Sequence, residues 1–236
     1  MNNLNIKSIL FDFGGTIDTD GVHWSEEFWA AYVAAEISIA KKDYERAYVQ
    51  ANESMLEGLI KPSDSFLTTI GHQIRLQLEY LIADGKIEIS KKETYWQLIT
   101  NHCYKHVQST ISGMAVFLSE LARRYQLVLV SNYYGNIENV LIEFNIRQYF
   151  KGVIDSGTVG IRKPDPAIWR MGVDLMSLNP EDCLVVGDSY SRDIVPAKKI
   201  GCYTAWIDGK SFSVPEETSD ADFIIKSNYF LKPILL

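Results

Sequence analysis

The sequence predicts an α/β protein, a doubly wound parallel sheet with a block of helices inserted after its first strand. Three observations predict it. Short apolar runs end abruptly in a polar residue at Ile9-Leu10-Phe11 before Asp12, Leu127-Val128-Leu129-Val130 before Ser131, and Leu184-Val185-Val186 before Gly187-Asp188. Runs that are apolar on both faces suit buried parallel strands better than half-solvated antiparallel ones. Helical periods separate them, and strand-helix alternation implies a parallel sheet with right-handed crossovers. From about residue 20 to residue 108, by contrast, only helical periods occur.

Taken in order, the first run delivers Asp12 into a Gly14-Gly15 turn at the mouth of the sheet. The inserted block repeats Phe28, Trp29, Tyr32 and Val33, then Ile70, Ile74, Leu78 and Leu81, then Tyr95, Trp96 and Ile99, with turns expected at Gly58 to Pro62 and at Asp84-Gly85. Met114 to Tyr125 and Asn136 to Phe144 read as helices flanking the second strand. Asp165-Pro166 starts another helix, with Asp as N-cap and Pro in the first turn, running over Ala167 to Met176. Tyr203-Thr204-Ala205-Trp206-Ile207 before Asp208 adds a fourth strand. Ligands of open α/β sheets bind beyond the carboxyl ends of the strands. Asp12, Ser131, Asp188 and Asp208 are therefore expected along one edge.

The 236 residues suffice for a large core with a smaller second domain. A net charge of −7 excludes a nucleic-acid binder, which needs clustered Lys and Arg; Arg162-Lys163 is too small a patch. Cys103, Cys183 and Cys202 are too few for a disulfide framework and favour a reducing compartment. No signal-peptide pattern opens the chain and no apolar run is long enough to span a bilayer, so a cytoplasmic protein without a membrane partner is expected. Oligomeric state stays open.

Four motifs then coincide: Asp12 in DFGGT, Ser131 after LVLV, Lys163 in GIRKPDP, and Asp188 with Asp193 in GDSYSRD. In this order and at strand ends, they resemble the haloacid dehalogenase-like hydrolase superfamily over the whole core. The resemblance implies a core of residues 1–19 and 109–236, with 20–108 as a type 1 helical cap hinged near Asp18 to Gly21 and Gln108 to Gly113. It implies a small phosphorylated substrate attacked by Asp12, giving an aspartyl-phosphate that water hydrolyses. Mg²⁺ would be held by Asp12, the Gly14 carbonyl and Asp188, with Asp193 acting through water or by orienting Lys163. Lys163 would neutralise charge on nucleophile and phosphoryl group. Ser131 and backbone N–H groups around Gly15 and Asn132 would hold the phosphoryl oxygens.

At position 14 the family's phosphatases normally carry a second Asp, which protonates the leaving group. Here it is Gly14. General acids typically contribute ~10²–10⁴ in rate, a loss that matters for alkyl phosphates and less for acyl or aryl phosphates. Three readings stay open. The first is a phosphatase, slow or specialised, with His23, Asp18, Asp20, Glu26 or Glu27 as possible replacement acids and an Asp restored at position 14 expected to speed alkyl-ester cleavage. The second is a dehalogenase or a phosphonate hydrolase, the latter drawing on Lys41 or Lys42. The third is a module that binds Mg²⁺ and phosphate with little turnover.

Other features read as ordinary structure. His102 and His106 stand at i and i+4 without a third ligand, a face of a helix rather than a zinc site. The aromatic residues of the helical block, Trp24 and Trp29 among them, read mainly as helix packing, with one or two free to face the cleft.

Overall fold

The computed structural model describes residues 5–210 and 218–235. Six strands form one sheet: β1 (Ser8–Phe11), β2 (Gln126–Ser131), β3 (Phe150–Asp155), β4 (Cys183–Gly187), β5 (Tyr203–Ile207) and β6 (Phe223–Ile225). Their order is β3-β2-β1-β4-β5-β6, with every neighbour parallel. Phe11 registers with Leu129 on one side and Val186 on the other, which brings Asp12, Ser131 and Asp188 to one edge.

The four anticipated strands are β1, β2, β4 and β5. Two others lie outside the sequence reading. In β3, Lys151 and Gly152 interrupt the apolar run, and the Leu175 side chain packs over Gly152, where a Cβ would meet its tip at 2.5 Å. Strand β6 has only three residues.

Alternation along each strand feeds two cores, because successive side chains point to opposite faces. Ile9, Phe11, Leu129 and Val186 join the helices of one face. Leu10, Val128, Val130 and Val185 pack with Ile168, Trp169 and Val173 on the other. These last three come from a helix over Pro166–Leu175, capped by Asp165, whose side chain accepts from the Ala167 N–H.

The inserted helices are α1 (Trp24–Ala34), α2 (Lys41–Ser54), α3 (Phe66–Ala83) and α4 (Lys92–Leu121). Ile70, Ile74, Leu78 and Leu81 form the buried face of α3, all at most 4% exposed. Helix α4 runs unbroken through 108–113, where the sequence suggested a hinge. Its buried residues Ile99, Cys103, Val107, Ile111, Met114, Phe117 and Leu121 keep helical spacing across that segment. Gly113 sits there because a Cβ would meet the Tyr229 hydroxyl at 2.8 Å. Among the described residues no helix is long and apolar enough to cross a membrane.

Candidate active site

Asp12 follows β1 directly, its N–H donating to the Val186 carbonyl at 2.9 Å. The chain then turns on Phe13, whose carbonyl accepts from the N–H groups of Thr16 and Ile17. Gly15 takes φ +94°, and a Cβ there would lie 2.3 Å from Asp188 Oδ2, so only glycine lets the two loops meet. Thr16 ties them together. Its hydroxyl donates to Asp12 Oδ2 at 3.0 Å and accepts from the Asp188 N–H at 3.1 Å.

Asp188 follows β4, and Asp193 returns in the wide turn Tyr190–Ile194. Gly187 admits Asp193, since a Cβ would meet its Oδ2 at 2.4 Å. The Lys163 ammonium donates to Asp12 Oδ1 at 2.5 Å and to Asp193 Oδ1 at 2.8 Å, and lies 4.6 Å from the centre of the Trp169 ring. Its backbone is clamped by Asn132, whose side chain accepts from the Lys163 N–H at 2.8 Å and donates to its carbonyl at 3.0 Å.

The electrostatics follow from burial. Asp12, Lys163, Asp188 and Asp193 are each at most 7% exposed. Burial alone would lower the Lys163 ammonium, but Asp12 and Asp193 outweigh it and lift the group above its ordinary value. Asp188 is raised well above the carboxylate range by burial, then by Asp12 and Asp193. Asp193 is pushed up to about 6 by burial, although Lys163 opposes this. Three carboxyl groups thus crowd one ammonium, which is too little positive charge to let all three ionise. One ligand oxygen from each of Asp12, Asp188 and Asp193 lies within 4.8 Å of the others, the one such group among the described residues. An all-oxygen set of this kind fits a hard divalent cation. The His102–His106 pair forms no comparable cluster.

A cleft of about 650 Å³ between the sheet edge and helices α1 to α3 is lined by Asp12, Gly14, Ser131, Asn132, Lys163, Asp188 and Asp193. Asp208 follows β5 at the same edge but does not line the cleft and is paired with Lys226. One expectation changes in detail. The Gly15 N–H donates to the buried Asp18 Oδ1 at 2.7 Å, so it is engaged within the turn. The Asn132 side chain, for its part, holds Lys163 through both of its polar atoms.

The candidate replacement acids have other partners. Asp20 accepts from Ser227 Oγ and the Asn228 N–H, both at 2.8 Å. Glu26 pairs with Lys41 at 2.7 Å on the surface, and Glu27 meets His106 at 2.8 Å. Lys42 is exposed, and neither Lys41 nor Lys42 lines the cleft. His23 lines it, but burial, then the Arg192 charge, lower its pKa to about 4, so the ring is neutral near pH 7. Asp18 lies behind the cleft wall, where Trp24 Nε1 donates to its Oδ2 at 2.7 Å.

Several contributors escaped the sequence reading. Thr16 was visible in DFGGT only as part of a turn. Arg162 and Arg192, which stand inside GIRKPDP and GDSYSRD without a role assigned there, line the cleft together with Trp24. Asp155, at the end of the unforeseen β3, accepts from the N–H groups of Gly135, Ile137 and Gly157 and so shapes the loop after Ser131.

Residues 6–201 match the model of the haloacid dehalogenase-like hydrolase family. The chain belongs to this family. A phosphoglycolate phosphatase of Vibrio cholerae is 32% identical over 224 residues, 93% of this chain and 92% of that protein. A phosphoserine phosphatase of Thermus thermophilus is 34% identical over 107 residues, only 44% of this chain and 43% of that protein. The match likewise spans about half the length of several other curated relatives. Two solved structures share the fold: a dehalogenase at TM-score 0.67 and 16% identity, covering 100% of this chain and 98% of that one, and the magnesium-bound hydrolase YfnB of Bacillus subtilis at TM-score 0.61 and 18% identity, covering 98% of each. The family is one of hydrolases, and phosphatases recur among the relatives.

Proposed function

We propose that the chain is a Mg²⁺-dependent phosphatase that cleaves small phosphorylated metabolites through an aspartyl-phosphate on Asp12 and works without a leaving-group acid at position 14. The observation that carries this reading is the trio of buried carboxyl groups around Lys163, too many for its single ammonium to balance, so that a cation is called for before a phosphate dianion can approach. Asp12, Asp188 and the Gly14 carbonyl would hold Mg²⁺, with Asp193 behind them, and the ion would supply charge neutralisation between these carboxylates and the phosphoryl oxygens.

The rest falls to the chain itself. Thr16 and Lys163 fix the Asp12 carboxylate from two sides, so it meets phosphorus in a single orientation. The carboxylate oxygen forms the new P–O bond as the bond to the leaving oxygen breaks. Water then attacks the phosphoryl group, and phosphate departs with Asp12 restored. Lys163 balances charge on the equatorial oxygens, and Ser131, buried at the end of β2, offers a hydroxyl to the same group. Asp193 holds the lysine in place. Helices α1 to α3 act as a cap that excludes water, with residues 1–19 and 109–236 as the core beneath.

A relative and a fold neighbour supply context: phosphatases recur among the former, and the fold neighbour YfnB is bound to magnesium. The dehalogenase reading shares the absence of an acid at position 14 but has no use for the carboxylate trio. Acid-quenching the enzyme during turnover of acetyl phosphate and weighing the Asp12 peptide tests the proposal. A phosphoryl adduct on Asp12, absent from Asp12→Asn and after chelation of Mg²⁺, is expected. Turnover that persists in Asp12→Asn, or release of halide from a haloacid with EDTA present, contradicts it.

A further inference from the structure

The Trp24 indole stands beside Gly14. A Cβ built on Gly14 would lie 3.5 Å from Trp24 Cδ1 and 3.6 Å from Nε1, ordinary van der Waals contact, so the edge of the indole adjoins position 14. The ring is fixed. Its N–H is held by Asp18 Oδ2 at 2.7 Å, and it packs against Phe28 and Phe66 at centroid distances of 4.9 and 5.8 Å. Trp24, Phe28 and Phe66 all line the cleft that holds Asp12. A pre-ordered aromatic wall thus adjoins Gly14, two residues beyond the nucleophile.

Resting on the phosphatase reading, we infer that Trp24 is a specificity-determining residue that selects aryl phosphates, the leaving group lying against the indole. Two independent constraints meet in that class. Without an acid at position 14 the leaving oxygen must depart unprotonated, and a phenol-type oxygen, with a pKa of about 10, is far better at this than an alkoxide, whose conjugate acid is comparable to water at about 15.7. The wall is aromatic, and aromatic pairs gain more than their area alone provides. Acyl phosphates satisfy the first constraint only. In the step itself, the Asp12 carboxylate displaces phenolate, whose charge is taken up by solvent after release.

The test compares phenyl phosphate, acetyl phosphate and ethyl phosphate with the wild type, Trp24→Phe and Trp24→Leu. The wild type should prefer phenyl phosphate to ethyl phosphate. In Trp24→Leu the kcat/KM ratio of phenyl to acetyl phosphate should fall about five- to tenfold, mainly through KM, the range expected for a lost aromatic contact. Trp24→Phe should keep most of the ratio. An unchanged ratio in Trp24→Leu overturns the inference. So does a wild type that turns over acetyl phosphate through Asp12 yet handles phenyl phosphate no better than ethyl phosphate, a result that leaves the phosphatase reading intact.

A second measurement needs no variant: inhibition of acetyl phosphate hydrolysis by phenylphosphonate and by cyclohexylphosphonate, which cannot be cleaved at oxygen and differ mainly in flatness. Phenylphosphonate should bind about fivefold or more tightly. Equal or reversed affinities overturn the role of the indole. Absence of Asp12-dependent turnover of every ester would remove the phosphatase reading and this inference with it.

Discussion

At the scale of single residues, the turn after Asp12 is held by one buried carboxylate that contacts neither solvent nor cleft. Asp18 accepts from the Gly15 N–H and from Trp24 Nε1, and its pKa is pushed up to about 7. Burial is the main cause, opposed by those two hydrogen bonds and aided by the nearby Asp12. The folded protein therefore keeps this proton to about pH 7, whereas the unfolded chain releases it near 3.8. Between these values the folded state binds more protons, so the contribution of Asp18 to stability is full below the unfolded pKa and is lost as pH rises through the folded one. Asp18→Asn cannot ionise and lacks this slope. Urea unfolding with EDTA present should show the stability of wild type relative to Asp18→Asn falling by on the order of a few kcal/mol from about pH 4.5 to about pH 8. A constant gap would show that Asp18 ionises normally. Trp24 sets a second expectation at this scale. Gly14→Asp alone should gain less in ethyl phosphate turnover than the same change made with Trp24→Ala, because a Cβ at position 14 already touches the edge of the indole at 3.5 Å. Gly14→Asp with Trp24→Ala should gain on the order of tenfold or more, part of what a general acid contributes. A full gain in the single variant would show that the indole yields easily.

Among elements, strands β1, β2, β4 and β5 were legible because each is an uninterrupted apolar run with an abrupt polar end, and those ends carry Asp12, Ser131 and Asp188. Strand β3 was not, since Lys151 and Gly152 break its run, and with it went Asp155. The helical block was legible from its periods, with Ile70, Ile74, Leu78 and Leu81 on the buried face of α3. The segment 108–113 misled for a physical reason. Ser109, Thr110, Ser112 and Gly113 are weak helix formers that look like a linker, yet Val107, Ile111 and Met114 keep the buried stripe intact, and packing outweighs propensity there. The account predicts continuous amide protection from Val107 to Met114 in hydrogen-exchange measurements, comparable to that at Ile99 and Phe117. Fast exchange confined to 108–113 would restore the hinge. The contact of Trp24 with Gly14 was hidden for another reason: it depends on the turn between them, with positive φ at Gly15, Asp20 and Gly21, and no local period encodes it.

For the whole molecule, topology brings the parts together. A parallel sheet gathers its carboxyl ends at one edge, and the helical block roofs that edge. Asp12, Lys163, Asp188 and Asp193, up to 181 positions apart in the numbering, thereby share one buried cluster. Its crowded carboxyl groups suit a cation, and in the proposed reaction the cation would admit the phosphoryl group while Gly14 restricts the leaving groups to those that depart unprotonated. The most direct measurement is the hydrolysis of acetyl phosphate and ethyl phosphate, with Mg²⁺, by wild type and Asp12→Asn. The account predicts Asp12-dependent turnover with acetyl phosphate favoured by on the order of 10² or more, reflecting the absent acid. Equal turnover of the two substrates, or turnover retained in Asp12→Asn, would contradict it.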